Sequence, residues 1–170
     1  FYLTKLVIFG NISCFNYLTK IRYKIEMLKI YQHTLSKPIF LKGQGLHTGR
    51  SCAIKILPAE ADQGIIFKRT DLDKNNLIKA NYKNVSSAKL CTTLENKFGV
   101  KVSTVEHLLA SFYISGIDNA IVEIDNEEVP IMDGSAVIFI NEIQKQNLKE
   151  LSKKRKYLRV LKKVDLVDGE

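Results

Sequence analysis

Along residues 104–115, TVEHLLASFYIS, apolar side chains recur at Val105, Leu108, Leu109 and Phe112. That is the i, i+3, i+4, i+7 spacing of a single helical stripe, and Gly116 follows as a natural stop. Elsewhere the period shortens towards two. Pro38–Leu41, Cys52–Leu57, Gly64–Arg69, Leu90–Leu94, Val100–Ser103 and Asn119–Ile124 are short, β-rich runs bounded by Gly, Asn, Asp or Ser, and each predicts a strand. Pro130 and Asp133-Gly134 then punctuate a turn, after which Ala136–Leu148 predicts a second helix capped by Asp133 or Ser135. Strands and two helices without regular βαβ alternation predict an α+β fold, a mostly antiparallel sheet covered on one face by the helices.

The first helix carries an anomaly. At about 100° per residue, Glu106 lies a quarter turn from the apolar stripe, and His107 lies nearly opposite it, beside Ala110, Ser111 and Ile114. This second face has no Lys or Arg, although the rest of the chain uses them freely. It is therefore expected to be covered, by another domain or by a ligand. Two readings of the pair stand at this level. Ser103-x-x-Glu106 has the spacing of a capping box, which would make Glu106 a helix starter and His107 a packing residue; the local pattern favours this reading. The alternative takes His107 as a metal ligand and Glu106 as a base. No protease signature applies, because HExxH needs a His before the Glu and HxxEH needs one where Ser103 stands.

Gly43, Gly45 and Gly49 in KGQGLHTGR have the look of a phosphate loop, yet a strand pattern follows them. Without a helix N-terminus behind it, the loop lacks the amides that would hold a phosphate. A tight connection between strands is the favoured reading, with His47 at its tip, and a direct substrate contact is the other.

Charge changes the picture less than its total suggests. The formal net charge is +8, but residues 1–26 carry +3, residues 27–150 carry +1 and residues 151–170 carry +4. A nearly neutral body lacks the broad basic face that phosphate contacts require, which argues against nucleic acid as a partner. The KKRK run at Lys153–Lys156 reads as a solvated linker. Cys14, Cys52 and Cys91 are odd in number and contain no CxxC, against a disulfide framework and for a reducing cytoplasm. The uncharged stretch Leu6–Thr19 falls short of the ~20 apolar residues of a membrane span, and no signal-peptide cleavage pattern follows it. The string YLTK occurs at Tyr2 and again at Tyr17, too little for a repeat architecture. Met27 reads as the start of the fold. The expected organisation is a leader or upstream read-through over 1–26, an α+β domain over 27–150, and a basic linker with the first strand of a further domain over 151–170.

Taken together, GQGLHTG, FKRTDL, KLCTTL, STVEHLLAS, GIDNAIVEID and EVPIMDGSA, in this order over Gly43–Ala136, resemble the N-terminal domain of the zinc-dependent UDP-3-O-acyl-N-acetylglucosamine deacetylases of Gram-negative lipid A synthesis. The resemblance implies two similar α+β domains packed helix layer to helix layer, with the active site between them. It implies that His107 is the one Zn²⁺ ligand of the first domain and that Glu106 is the general base for the attacking water. It also implies that Leu46 and Leu90-Cys91 line the site near the metal or the acyl chain. The substrate implied is a UDP-linked acylated amino sugar. Its acetamide is a poor electrophile, which a Zn²⁺ ion polarises while lowering the pKa of water towards ~7, giving acetate and a free amine.

The sequence also departs from the pattern. The family's other ligands are a His and an Asp in an HKxxD string of the second domain, whereas His33, His47 and His107 are the histidines here and none precedes an Asp by four residues. Three protein ligands are the usual minimum for catalytic zinc. The expectation is an incomplete deacetylase, inactive without its second domain; a non-catalytic half-domain that binds a partner through the helix face is the other class.

Overall fold

The computed structural model describes residues 30–165; the leader, Met27 and the YLTK strings lie outside them. Five strands form the main sheet: β2 (Ile39–Gln44), β3 (Ser51–Pro58), β4 (Ile65–Arg69), β5 (Leu77–Lys79) and β9 (Ala120–Ile124). Their order is β2-β3-β9-β4-β5, antiparallel throughout except for the parallel β4–β9 pair. Two smaller sheets flank it. β1 (Tyr31–Leu35) pairs with β10 (Leu148–Lys154), and β6 (Val85–Ser87), β7 (Thr93–Glu95) and β8 (Lys101–Val102) form a three-stranded sheet. The helices are α1 (Glu106–Ser115) and α2 (Val137–Gln144), which pack against each other. Among the described residues no helix is long and apolar enough to cross a membrane.

Alternation along the strands makes the main sheet one-sided. Ile54, Ile56, Phe67, Val122 and Ile124 face inward and form one cluster with Leu108 and Phe112 of α1 and Phe139 and Ile143 of α2. The register Ile54↔Ile124 and Ile56↔Val122↔Phe67 keeps these side chains level across three strands, so a one-residue slip would turn the whole set outward. This is the α+β arrangement expected, a mostly antiparallel sheet with two helices on one face.

Several boundaries differ from expectation. The second helix ends at Gln144, and Leu148 begins β10; the apolar pattern runs on because Leu148 and Leu151 face the domain from a strand. The KKRK run is not a solvated linker throughout. Lys153 and Lys154 belong to β10, and Arg155 is buried, donating to the Gly116 carbonyl at 2.7 Å and pairing with Asp118. The strand expected from Leu90 starts at Thr93, since Leu90 itself has φ 67° and is exposed.

β1 escaped the periodicity reading because polar residues occupy its buried positions. Gln32, His33 and Thr34 are all buried, and Asn119 joins two of them: its Nδ2 donates to Gln32 Oε1 (2.9 Å), its carbonyl accepts the Thr34 hydroxyl (2.8 Å), and its Oδ1 accepts Gly64 N–H (2.8 Å). Such a cluster is tolerable in a core only when every group is paired.

The glycine loop is a β2–β3 hairpin, closed by Gly45 N–H to Arg50 O at 2.9 Å. Beneath it lies Glu128, 1% exposed. Its Oε1 accepts His47 N–H (2.9 Å) and the Thr104 hydroxyl (2.9 Å), and its Oε2 accepts Thr48 N–H (2.8 Å). A Cβ on Gly45 would sit 2.3 Å from Glu128 Oε2 and 2.4 Å from Thr48 Oγ1, so the loop can wrap the carboxylate only with glycine there.

Two outcomes are expected. Asn119→Ala orphans the buried Gly64 N–H and removes one of the donors to Gln32 Oε1, and should destabilise the fold by about 2–4 kcal/mol, read from urea unfolding. For Glu128, burial pushes the carboxyl up, but the His47 and Thr48 amides and the Thr48 and Thr104 hydroxyls outweigh it and hold it at about 2, against an ordinary 4.5. A depressed carboxylate stabilises fully above its unfolded value, so its contribution should be complete above about pH 4.5 and vanish as the pH falls towards 2. Denaturant titrations across that window should show the loss in the parent chain and a flatter slope in Glu128→Gln.

Candidate functional site

The first turn of α1 carries Glu106 and His107, and the capping-box expectation fails there. Val105 stands at the N-cap without a side-chain hydrogen bond. Ser103 is turned away, its hydroxyl donating to Glu127 O at 3.2 Å. Glu106 instead reaches sideways, and its Oε2 accepts Thr92 N–H at 3.0 Å. A carboxylate in the first turn also meets the positive end of the helix dipole. Capping boxes and this arrangement share one sequence spacing; what separates them is where the Cys91-Thr92 segment runs, which no local pattern reports.

His107 is half-buried, and its ring makes no hydrogen bond among the described residues. His107 acts electrostatically on Asp133, whose carboxyl lies below the usual range chiefly because it accepts the Ser135 amide and hydroxyl, with His107 a smaller contribution. Asp133 and Ser135 were expected to cap the second helix. Instead Ala136 stands at the N-cap without a side-chain cap bond; just before it, Asp133 Oδ1 takes Ser135 N–H (3.0 Å) and the Ser135 hydroxyl accepts Val137 N–H (3.1 Å).

Four chain segments distant in sequence therefore meet at the start of α1. They are the glycine hairpin, Cys91-Thr92, Ser103–His107 and Glu128–Ser135. The last of these also leans on the first, through Ile131 N–H to Gln44 O at 2.9 Å and through Pro130, whose Cβ would lie 3.0 Å from a Cβ added at Gly43. Backbone strain gathers here as well. Leu90 (φ 67°), Thr104 (φ 56°) and Met132 (φ 56°) are among the non-glycine residues with positive φ, and for a β-branched residue such as Thr104 this conformation is a true outlier.

Of the other residues singled out from sequence, Leu46 and His47 are exposed on the hairpin, and His47 is tied to the centre by its backbone rather than its ring. Leu90 is 85% exposed, while Cys91 is half-buried with its thiol 3.8 Å from Thr93 Oγ1. Sequence reading passed over Glu128, Thr104 and Thr92. None of the three left a local signal: Glu128, for one, simply ends the polar run Asp125–Glu128.

Among the described residues no three His, Cys, Asp or Glu side chains converge closely enough to hold a metal ion. The site offers His107 as an unpartnered imidazole with a carboxylate on either side in sequence or space. That set fits one corner of a metal centre, not a whole one.

Residues 32–170 match the family model described as LpxC: UDP-3-O-acyl N-acetylglycosamine deacetylase. Among curated proteins, the UDP-3-O-acyl-N-acetylglucosamine deacetylase of Syntrophotalea carbinolica is 47% identical over 141 residues, which cover 83% of this chain and 45% of that protein. The protein of the same name from a Geobacter species is 48% identical over 83% of this chain and 46% of its own length. The one from Phenylobacterium zucineum is 40% identical over 83% and 48%. The chain thus spans about half the length of the curated relatives it matches. With a match running through all four converging segments, the chain belongs to the UDP-3-O-acyl N-acetylglycosamine deacetylase family.

Proposed function

We propose that this chain supplies the base and one metal ligand of a hydrolase that removes the N-acetyl group from a UDP-linked 3-O-acyl amino sugar, releasing acetate. The observation that carries this reading is Glu106. Its Oε2 is engaged by Thr92 N–H and its Oε1 has no hydrogen-bond partner among the described residues, so one oxygen fixes the carboxylate and the other is available to a proton.

His107 is the residue that would hold Zn²⁺, and the remaining ligands would come from a second domain of the family. The ion, when bound, supplies Lewis-acid polarisation of the amide carbonyl and a more acidic water. Glu106 Oε1 would take a proton from the attacking water as that water's oxygen adds to the carbonyl carbon, and would return it to the nitrogen as the C–N bond breaks, leaving acetate and the free amine. Asp133 keeps the His107 ring in an electronegative setting, and Thr92 keeps Glu106 from folding back onto the helix start. The compartment proposed is the reducing cytoplasm: Cys52 is a buried free thiol, pushed up to about 12 by burial and the neighbouring Asp125, and Cys91 is also unpaired.

A second reading is favoured by the helix layer. Ile114 is 63% exposed and Val137 53%, which suits a half-domain that only docks a partner. Ser111, on the same helix face, is fully buried, its hydroxyl donating to Leu108 O at 2.6 Å. Ile114, Tyr113 and Val137 remain on the outside.

In an assembly of this chain with the family's second domain, Glu106→Gln should keep its zinc and lose roughly 10²–10⁴-fold in rate; normal turnover with reduced stability would return Glu106 to a structural role. Sedimentation tests the helix layer. The chain alone should self-associate and bind a hydrophobic dye, and the added second domain should convert it to a soluble one-to-one complex. A dye-silent monomer would mean that the face is covered from within.

A further inference from the structure

The hairpin that carries Leu46 and His47 and the helix turn that carries Glu106 and His107 belong to different layers, and one side chain touches both approaches. Glu128 Oε1 is shared between His47 N–H and the Thr104 hydroxyl, and Oε2 takes Thr48 N–H. Thr104 stands two residues before Glu106, buried and at φ 56°. An L-threonine does not hold that conformation by itself. Its neighbours are tied down as well: Ser103 N–H bonds to Glu127 O at 2.9 Å and Val129 N–H to Ser103 O at 3.1 Å. Downstream, Val105 O receives Leu109 N–H at 3.0 Å, the first bond of the helix.

We propose that Glu128 is a positioning residue for the Glu106–His107 pair: by accepting from the glycine hairpin and from Thr104 at once, it locks the hairpin to the start of α1. The strained Thr104 backbone sets the angle at which α1 leaves the sheet, and hence where the Glu106 carboxylate lies relative to Thr92. Releasing either side of the Glu128 carboxylate loosens both. The chemistry demands a carboxylate and nothing else of that shape. Each oxygen takes a backbone N–H of the hairpin, from His47 at Oε1 and Thr48 at Oε2, so an amide nitrogen in place of either oxygen would face an N–H with a donor of its own. Aspartate would fall about one carbon short. This proposal rests on the reading of Glu106 and His107 as the reactive pair.

Amide hydrogen exchange on this chain tests it without turnover. Three amides report the coupling: Thr48, bonded to Glu128; Thr92, bonded to Glu106; and Leu109, in the first turn of α1. Val122 and Phe67 in the central strands serve as references for global opening. In Glu128→Gln, all three reporters should exchange about ten-fold faster or more relative to the references. Thr104→Val, which removes the hydroxyl and keeps the shape, should do the same at Thr92 and Leu109, Thr104→Ser should retain protection, and the double variant should be no worse than either single one. Acceleration confined to Thr48 would overturn the proposal, as would equal acceleration of references and reporters, additive effects, or a loss in Thr104→Ser equal to that in Thr104→Val. If Glu128→Gln does not fold, the Thr104 pair decides alone. A failure here leaves the deacetylase reading standing, while a Glu106→Gln assembly that turns over normally would end that reading without altering the exchange result.

Discussion

A carboxylate removed from water survives in a fold only if donors replace the solvent it has lost, and at Glu128 the replacements come from two layers of the molecule. Two are backbone amides of the hairpin and one is the hydroxyl that precedes α1. The same charge dictates a glycine at 45, because any Cβ there would collide with the carboxylate it is meant to wrap. It also explains why a threonine tolerates a left-handed backbone at 104: the hydroxyl is held by the charge, and the flanking Ser103 is stitched to the Glu127–Val129 strip on either side. A charged hydrogen bond is worth more than a neutral one, which is what a strained residue needs as compensation.

The surrounding fold serves this arrangement by being rigid and one-sided. The main sheet offers its inner face to two helices only, so the edge where α1 begins is also where hairpin, Cys91-Thr92 strip and Glu128–Ser135 turn can gather without burying more chain. Glu106 and His107 end up on the first turn of a helix, and Leu46, His47 and Cys91 on connections between strands, positions that rigid elements orient but do not occlude. The charges on the sheet's other face, such as the Lys68–Glu123 pair at 2.9 Å, stay clear of this edge.

How far the sequence could be read depended on whether a residue's role was periodic. The stripe of Val105, Leu108 and Phe112, the alternation in β3 and β9, and Gly116 at φ 80° are local matters, and the elements they predict are present. Non-local pairing was invisible. β1 buries Gln32, His33 and Thr34, so its hydrophobicity says nothing, and β10 ends in Lys153-Lys154, which read as linker until a partner strand is known. At the site, the adjacency of Glu106 and His107 was plain, and the family resemblance gave them a chemistry. The use of Glu106 towards Thr92 rather than its own helix start was beyond any spacing rule. Glu128 and Thr104 were missed because their significance lies in a contact across 24 residues of chain.

The pairing of β1 with β10 places the first and last described strands side by side, with Tyr31 opposite Lys154. Both chain directions therefore leave the domain from one corner. A force drawing those two exits apart would load the β1–β10 ladder lengthwise from its open end, parting its hydrogen bonds one pair after another rather than shearing them all together. The Arg155–Asp118 contact, just beyond the last paired residue and shared with His33 N–H, sits at the point where such peeling would start. The domain is thus mechanically soft at that corner, and the strain would reach α1 at its C-cap, through the Arg155 bond to Gly116 O, rather than at the first turn that carries Glu106 and His107.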